Sequence, residues 1–249
     1  MQPYSERRSR FRCAGVSPRQ GVAIYSNDPT QGPKCALSCP AGTIFRNYLV
    51  EVDGKRGQGE KQIDCLADVG SVLGNTDEKY WKMQNGYALP SAIGSIRELG
   101  NRLKREEGLS EAVAAALRVG VHWETQAKPP HTHRVCQVYA SALPVAYASS
   151  TRPADWEPFA RLVLRAAYEA TLAVGACKAA EAGAGKRVPV FLTSLGGGAF
   201  GNRNEWIRDS LAAALETHRK SPLDVVLVHY GTRVPDDWQA VTTPRPPPE

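Results

Sequence analysis

A glycine-rich stretch near the C-terminal end, Leu195-Gly196-Gly197-Gly198-Ala199-Phe200-Gly201-Asn202, constrains the fold more than any other part of the chain. The run from Val188 to Leu195 before it is apolar and β-branched, which is typical of a strand. The stretch from Asn204 to Glu216 after it carries large apolar residues at helical spacing. These residues are Trp206, Ile207, Leu211 and Leu215. The order strand, glycine loop, helix is therefore predicted.

Such a unit is suited to holding an anion. Glycines let backbone N–H groups approach a ligand without an intervening Cβ. The N-terminus of the following helix adds unpaired donors and a partial positive charge. We expect a diphosphate at this loop. The alternative is a turn that only joins strand to helix, but four glycines and a Phe are more than such a turn needs.

Two familiar phosphate-binding loops do not match this stretch. The glycines are not followed by Lys-Ser or Lys-Thr, so the loop is not a Walker A motif. A GxGxxG pattern can be read from Gly196 to Gly201, yet it lies near the C-terminus and lacks the later acidic residue of a dinucleotide-binding unit.

The composition is that of a globular protein, and its positive net charge favours an anionic partner. The 249 residues are 42% hydrophobic and carry a net charge of +6. The basic residues are dispersed, and no stripe of alternating basic and aromatic residues suggests base stacking, so nucleic acid is not expected as a partner. The six cysteines lack the paired spacing of a zinc site, and we expect no metal.

The start of the chain lacks an apolar signal region, and no apolar run is long enough to cross a membrane. A cytoplasmic protein is expected.

Strands and helices alternate through the second half, which predicts an α/β fold with helices covering a mostly parallel sheet. We expect one domain over residues 21–241, between a flexible N-terminal segment (1–20) and a Pro-rich tail (242–249). Ligands of such sheets bind beyond the C-terminal ends of the strands, where the glycine loop would lie.

Several individual elements are also predicted. Strands are expected over residues 43–52, 119–125, 135–145 and 223–229. Ser110 is expected to cap one helix and Asp155 another.

Three aspartates are candidate functional residues. A helix predicted over residues 60–73 would place Asp64 and Asp68, four residues apart, on one face. A solvated helix face explains this pair as well as a ligand does. Asp28 lies in a turn-rich loop with Thr30, Gln31 and Gly32.

The last third of the chain resembles a macrodomain, the α/β/α module that binds ADP-ribose. The resemblance rests on Ala142-Leu143-Pro144-Val145, a long helix from Phe159, a strand, and then Gly197-Gly198-Ala199-Phe200-Gly201 before a helix. It implies a three-layer fold with a mixed, mostly parallel sheet. It also implies that residues Gly196 to Gly201, with Asn202, wrap the diphosphate and that Phe200 packs against the distal ribose.

The first half departs from the common macrodomain pattern. Its segments 30–36, 46–48 and Gln62-Ile63-Asp64-Cys65-Leu66-Ala67-Asp68 resemble a divergent branch that includes the MavL-type, arginine-specific ADP-ribosylhydrolases. The resemblance implies hydrolysis of the bond between an arginine guanidinium and ADP-ribose, with ADP-ribosylated protein as the partner and ubiquitin among the candidates. It implies ADP-ribose as ligand and product, with no cofactor, and adds Thr30, Gln31, Gly32 and Gln62 to the ligand-binding residues.

A carboxylate suits the chemistry of that reaction. Cleavage at the anomeric carbon develops oxocarbenium-like charge, and a carboxylate can stabilise it, orient water or grip the guanidinium. Asp64 is our candidate catalytic residue, with Asp28 or Asp68 assisting. A reader module that binds ADP-ribose without cleaving it is the alternative.

Overall fold

The computed structural model describes residues 37–59, 61–84 and 86–229, together with 234, 238 and 241. The fold is mixed α/β, as predicted at that level. The chain divides into two compact units. Unit 1 comprises Met1–Ala67, Lys82–Leu89 and Val119–Ala140, and unit 2 comprises Asp68–Trp81, Pro90–Arg118 and Ser141–Glu249.

The helices and strands are numbered in the order in which they occur along the chain. The α-helices are α1 (Pro40–Ile44), α2 (Ala67–Leu73), α3 (Ser95–Arg105), α4 (Leu109–Ala116), α5 (Pro153–Ala182) and α6 (Asn204–Thr217). A π-helix covers Phe45–Leu49, and a short 3-10 helix covers Val145–Tyr147. The strands are β1 (Glu51–Val52), β2 (Lys55–Arg56), β3 (Trp81–Gln84), β4 (Tyr87–Pro90), β5 (Gly120–Gln126), β6 (Arg134–Tyr139), β7 (Val188–Thr193) and β8 (Leu223–Val228).

Unit 2 is organised around the long helix α5. Its apolar stripe is fully buried, with Trp156, Phe159, Leu164 and Leu172 at 0% exposure. Helices α3, α4 and α6 pack on α5, and so do strands β7 and β8. Pro153 opens the helix, and the N-cap residue is Arg152. Asp155 lies at the third helical position, where its carboxylate accepts from the backbone N–H of Arg152 at 3.3 Å. Asp155 therefore caps this helix start as predicted in function, but not from the N-cap position itself.

Strands β7 and β8 form the parallel pair that leads into the glycine loop. Their register aligns Val188 with Leu223 and Thr193 with Val228. The β1–β2 and β5–β6 pairs are antiparallel, and β3 pairs with β4 in a further two-stranded sheet. The sheets described are thus mostly antiparallel pairs, and the expected mostly parallel sheet is not seen among them.

Unit 1 contains α1, the π-helix and the β5–β6 hairpin. The register of β5–β6 shifts between His122 and Thr125, where the strand carries a bulge. Helix α1 packs against β5.

Four predictions about elements are wrong. Residues 43–52 are mostly helical, because Pro40 opens α1 and the helical turns continue through the π-helix to Leu49. The helix predicted over residues 60–73 begins only at Ala67, so Asp64 precedes it and does not share a helix face with Asp68. The strand predicted over 135–145 ends at Tyr139. The N-cap of α4 is Gly108, and the Ser110 hydroxyl donates instead to the carbonyl of Leu103.

No helix in the part of the chain that the structure describes is long and apolar enough to cross a membrane.

Candidate functional site

The glycine loop, defined as Leu195–Asn202, joins β7 to α6 as predicted. Gly196 has a φ of +77° and Gly201 a φ of +70°, in the left-handed region that favours glycine. Turns occupy most of the loop, and α6 begins directly after it at Asn204.

A second segment, Ser141–Ala148, lies tightly against the loop. A Cβ on Gly196 would stand 2.3 Å from the Cβ of Ala142, and one on Gly201 would stand 2.8 Å from the Cβ of Ala146. Side chains at these two positions would force the segments apart. Both glycines are therefore required by packing as well as by backbone conformation.

Hydrogen bonds hold the two segments together. The carbonyl of Phe200 accepts from the N–H of Ala146 at 2.9 Å. The Asn202 side-chain amide donates to the carbonyl of Leu143 at 2.9 Å, and the Asn202 backbone N–H donates to the carbonyl of Gly196 at 3.1 Å. Asn202 is 3% exposed, and these hydrogen bonds make it a buried anchor for the loop. Its Oδ1 is buried and accepts no hydrogen bond within the described residues.

The outer part of the loop presents unpaired donors. Gly197, Gly198 and Ala199 are exposed, and a Cβ built on Gly198 meets nothing within 4 Å. The N–H of Gly197 donates to the carbonyl of Ser194, whereas those of Gly198 and Ala199 make no hydrogen bond within the described chain. These two amides are available to a ligand.

The start of α6 adds further donors next to the loop. Arg203 occupies the N-cap position and provides no side-chain cap. The N–H groups of Trp206 and Ile207 both donate to the carbonyl of Arg203. Those of Asn204 and Glu205 have no such partner in the described chain, as is usual in a first helical turn. The helix end and the two loop amides together favour an anion.

Phe200 and Tyr147 lie on the two adjoining segments. Their rings meet edge to face, with centroids 5.5 Å apart and planes at 84°. Phe200 is half-buried, so part of its ring is accessible beside the donors.

Tyr168 was not identified from the sequence. Its hydroxyl lies between the carbonyl of Thr193 at 2.7 Å and the N–H of Leu195 at 3.0 Å. Burial raises the pKa of Tyr168 to about 12. In the sequence it is one more aromatic on the buried stripe of α5, with no signal of its contact with the loop.

The predicted aspartates have different surroundings. The Asp68 carboxylate, in unit 2, is ion-paired with Arg118. Asp64, in unit 1, is half-buried, and its Oδ1 accepts the N–H of Leu66 at 2.8 Å in a turn before α2. Asp28 lies outside the described residues, as do Thr30, Gln31 and Gly32.

Gln62 lies in unit 1 beside a short polar network formed by Gln58 and Asn47. Its Oε1 is buried and has no hydrogen-bond partner in the described part of the chain. The neighbouring Gln58 donates to Asn47 at 3.0 Å and accepts the N–H of Ile63 at 3.0 Å. Gln58 and Asn47 thus fix the segment in which Gln62 lies.

A polar face on the β5–β6 hairpin was also missed. The register pairs His122 with Gln137, and the same face of β6 carries Tyr139. A Cβ on Gly42 of α1 would lie 2.1 Å from the Tyr139 hydroxyl, 2.5 Å from Gln137 Oε1 and 3.3 Å from His122 Nδ1. The group is close-packed, so it fastens α1 to the hairpin.

Among the described residues, no group of three or more His, Cys, Asp or Glu side chains could hold a metal ion. Comparisons of the chain with protein-family models, with curated proteins and with solved structures find no match.

Proposed function

We propose that the protein binds ADP-ribose at the glycine loop and removes it from modified protein side chains, with arginine as the linkage. The proposal includes a three-layer, macrodomain-like arrangement around the loop. One observation carries the binding part: the unpaired amides of Gly198 and Ala199 beside the uncapped N-terminus of α6. Backbone donors at a helix end are a recurrent way of binding phosphate.

The other loop residues follow from this assignment. Gly196, Gly197 and Gly201 shape the turn around the diphosphate, and Asn202 holds it against Leu143. The edge of Phe200 would contact the distal ribose. Thr30, Gln31, Gly32 and Gln62 are proposed to hold the rest of the ligand.

Hydrolysis would proceed by attack of water on the anomeric carbon of the ribose. The C–N bond breaks and its electron pair passes to the guanidine, which is then protonated, while the water loses a proton to a carboxylate. The products are ADP-ribose and an unmodified arginine. We propose Asp64 as the carboxylate, with Asp28 or Asp68 assisting.

A non-catalytic reader is the second candidate, and one observation favours it. The Asp68 carboxylate is already neutralised by Arg118, and Asp64 lies on a turn rather than beside Asp68 on a helix. A binding module needs only the loop.

One incubation separates these functions. The protein is mixed with a substrate protein ADP-ribosylated on arginine, and free ADP-ribose is measured by mass spectrometry. The hydrolase releases ADP-ribose with turnover. A reader retains the modified substrate without release, and a substrate neither bound nor cleaved contradicts both functions.

The role of Asp64 is tested with Asp64→Asn against Asp53→Asn as the matched control. We expect Asp64→Asn to reduce the release rate by about 100-fold or more while ADP-ribose binding is retained, as for loss of a general base. Asp53 lies in the same unit, is exposed in the turn between β1 and β2 and has a φ of +52°, a conformation that Asn also tolerates, so Asp53→Asn should retain activity. Unchanged release by Asp64→Asn would remove Asp64 from the reaction.

A further inference from the structure

We propose that Tyr168 is a positioning residue that fixes the start of the glycine loop and thereby orients the amides of Gly198 and Ala199 for a ligand. This inference takes its ligand, ADP-ribose, from the proposed function. The contact of Tyr168 with the start of the loop does not depend on that function. Tyr168 lies on α5 and touches neither of those amides in the described contacts.

One hydroxyl spans the junction between strand and loop. Tyr168 is 3% exposed. It donates to the carbonyl of Thr193, the last residue of β7, and accepts from the N–H of Leu195, the first residue of the loop. The same N–H also donates to the Thr193 carbonyl at 2.8 Å. The exit direction of the chain from β7 is therefore held by a helix side chain together with this backbone hydrogen bond.

The far end of the loop is anchored separately. There, Asn202 bonds to Leu143, and the carbonyl of Phe200 accepts from Ala146. Gly198 and Ala199 lie between the two anchored ends. Fixing both ends orders the intervening amides before a ligand arrives, which reduces the entropy lost on binding.

The protonation state of Tyr168 suits this role. Burial raises its pKa to about 12, so the hydroxyl remains protonated and able to donate at any ordinary assay pH. The hydrogen bonds of the Tyr168 hydroxyl to Thr193 and Leu195 therefore do not depend on pH in that range.

The test compares Tyr168→Phe with Tyr80→Phe. Both tyrosines are buried in unit 2, at 3% and 1% exposure, and each substitution removes one hydroxyl while keeping the ring. The hydroxyl of Tyr80 accepts instead from Arg102, at 3.4 Å. Tyr80→Phe therefore controls for the general effect of removing a buried hydroxyl.

Two measurements are made on each variant: ADP-ribose affinity by calorimetry and amide hydrogen exchange over residues 195–201 without ligand. Tyr168→Phe should weaken ADP-ribose binding about fivefold, because a loosened loop loses more entropy when the ligand orders it, and should accelerate exchange over residues 195–201. Tyr80→Phe should leave both unchanged, even where its melting temperature falls equally. Exchange in Tyr168→Phe equal to that of the parent protein would overturn the inference. Failure of the parent protein to bind ADP-ribose would refute the proposed function, while the exchange comparison would still decide the role of Tyr168.

Discussion

At the scale of single residues, three of the four glycines in the loop fall into two kinds. Gly196 and Gly201 have left-handed backbones and no room for a Cβ against Ala142 and Ala146. Gly198 has open space around it and an unpaired N–H. The first kind holds the loop in shape, and the second leaves a surface on which an anion can sit.

Substitutions at Gly198 therefore test how a negative charge at the loop affects ADP-ribose binding. Gly198→Asp and Gly198→Asn add side chains of nearly equal size into open space, and only the first carries a negative charge. Beside a diphosphate, that charge should raise the Kd for ADP-ribose roughly tenfold or more relative to Gly198→Asn. The difference should shrink in high salt. Calorimetry at two ionic strengths measures it, and equal affinities for the two variants would contradict a diphosphate at this loop.

Some functional residues could be found in the sequence and others could not. The glycine loop was predictable, because glycines between a strand and a helix have few structural explanations. Tyr168 was not, because the contact of its hydroxyl with Leu195 spans residues far apart in the chain. The pairing of Asp64 with Asp68 was inferred wrongly, since it assumed a helix that begins only at Ala67.

At the scale of elements, local composition succeeded where tertiary packing agreed with it. Helices α5 and α6 and strands β5, β7 and β8 lie close to their predicted positions. The segment 43–52 is aromatic and β-branched, which favours a strand, yet Pro40 starts a helix that packs against β5. Non-local packing and helix initiation outweighed β propensity there.

The start of α5 provides a prediction about acid stability. Asp155 is 8% exposed and accepts hydrogen bonds from Arg97 and from Arg152. Hydrogen bonds from the Arg97 and Arg152 side chains hold the pKa of Asp155 well below its usual range. The carboxylate therefore stabilises the fold above the unfolded-state pKa, and this contribution is lost as the pH falls towards the folded-state pKa.

We expect Asp155→Ala to lower the free energy of unfolding by about 1–2 kcal/mol at neutral pH, through loss of the cap. The difference from the parent protein should diminish as the pH falls below about 4, the ordinary aspartate pKa. Asp224→Ala is the control, since it removes an Asp–Arg pair with Arg187 that is more than half exposed and should cost little. Urea unfolding at several pH values measures both. A cost for Asp155→Ala that stays constant down to pH 2 would argue against the carboxylate as its source.

At the scale of the whole molecule, the residues named in the proposal belong to two compact units. Unit 2 holds the glycine loop and its supports, and unit 1 holds Gln62 and Asp64. The glycine loop could be predicted because the strand, the glycines and the helix that define it are consecutive in the sequence. A role for the other proposed residues cannot be read from their local sequence, because composition and periodicity do not specify which distant segments come together.

The central claim is that the amides of Gly198 and Ala199 bind the diphosphate of ADP-ribose. An NMR titration of ¹⁵N-labelled protein with ADP-ribose, with adenosine as the control that lacks phosphate, tests this claim most directly. We predict that ADP-ribose produces its largest amide shifts at Gly198 and Ala199 and that adenosine leaves these two resonances in place. Saturation with ADP-ribose that leaves both resonances unmoved would contradict the claim.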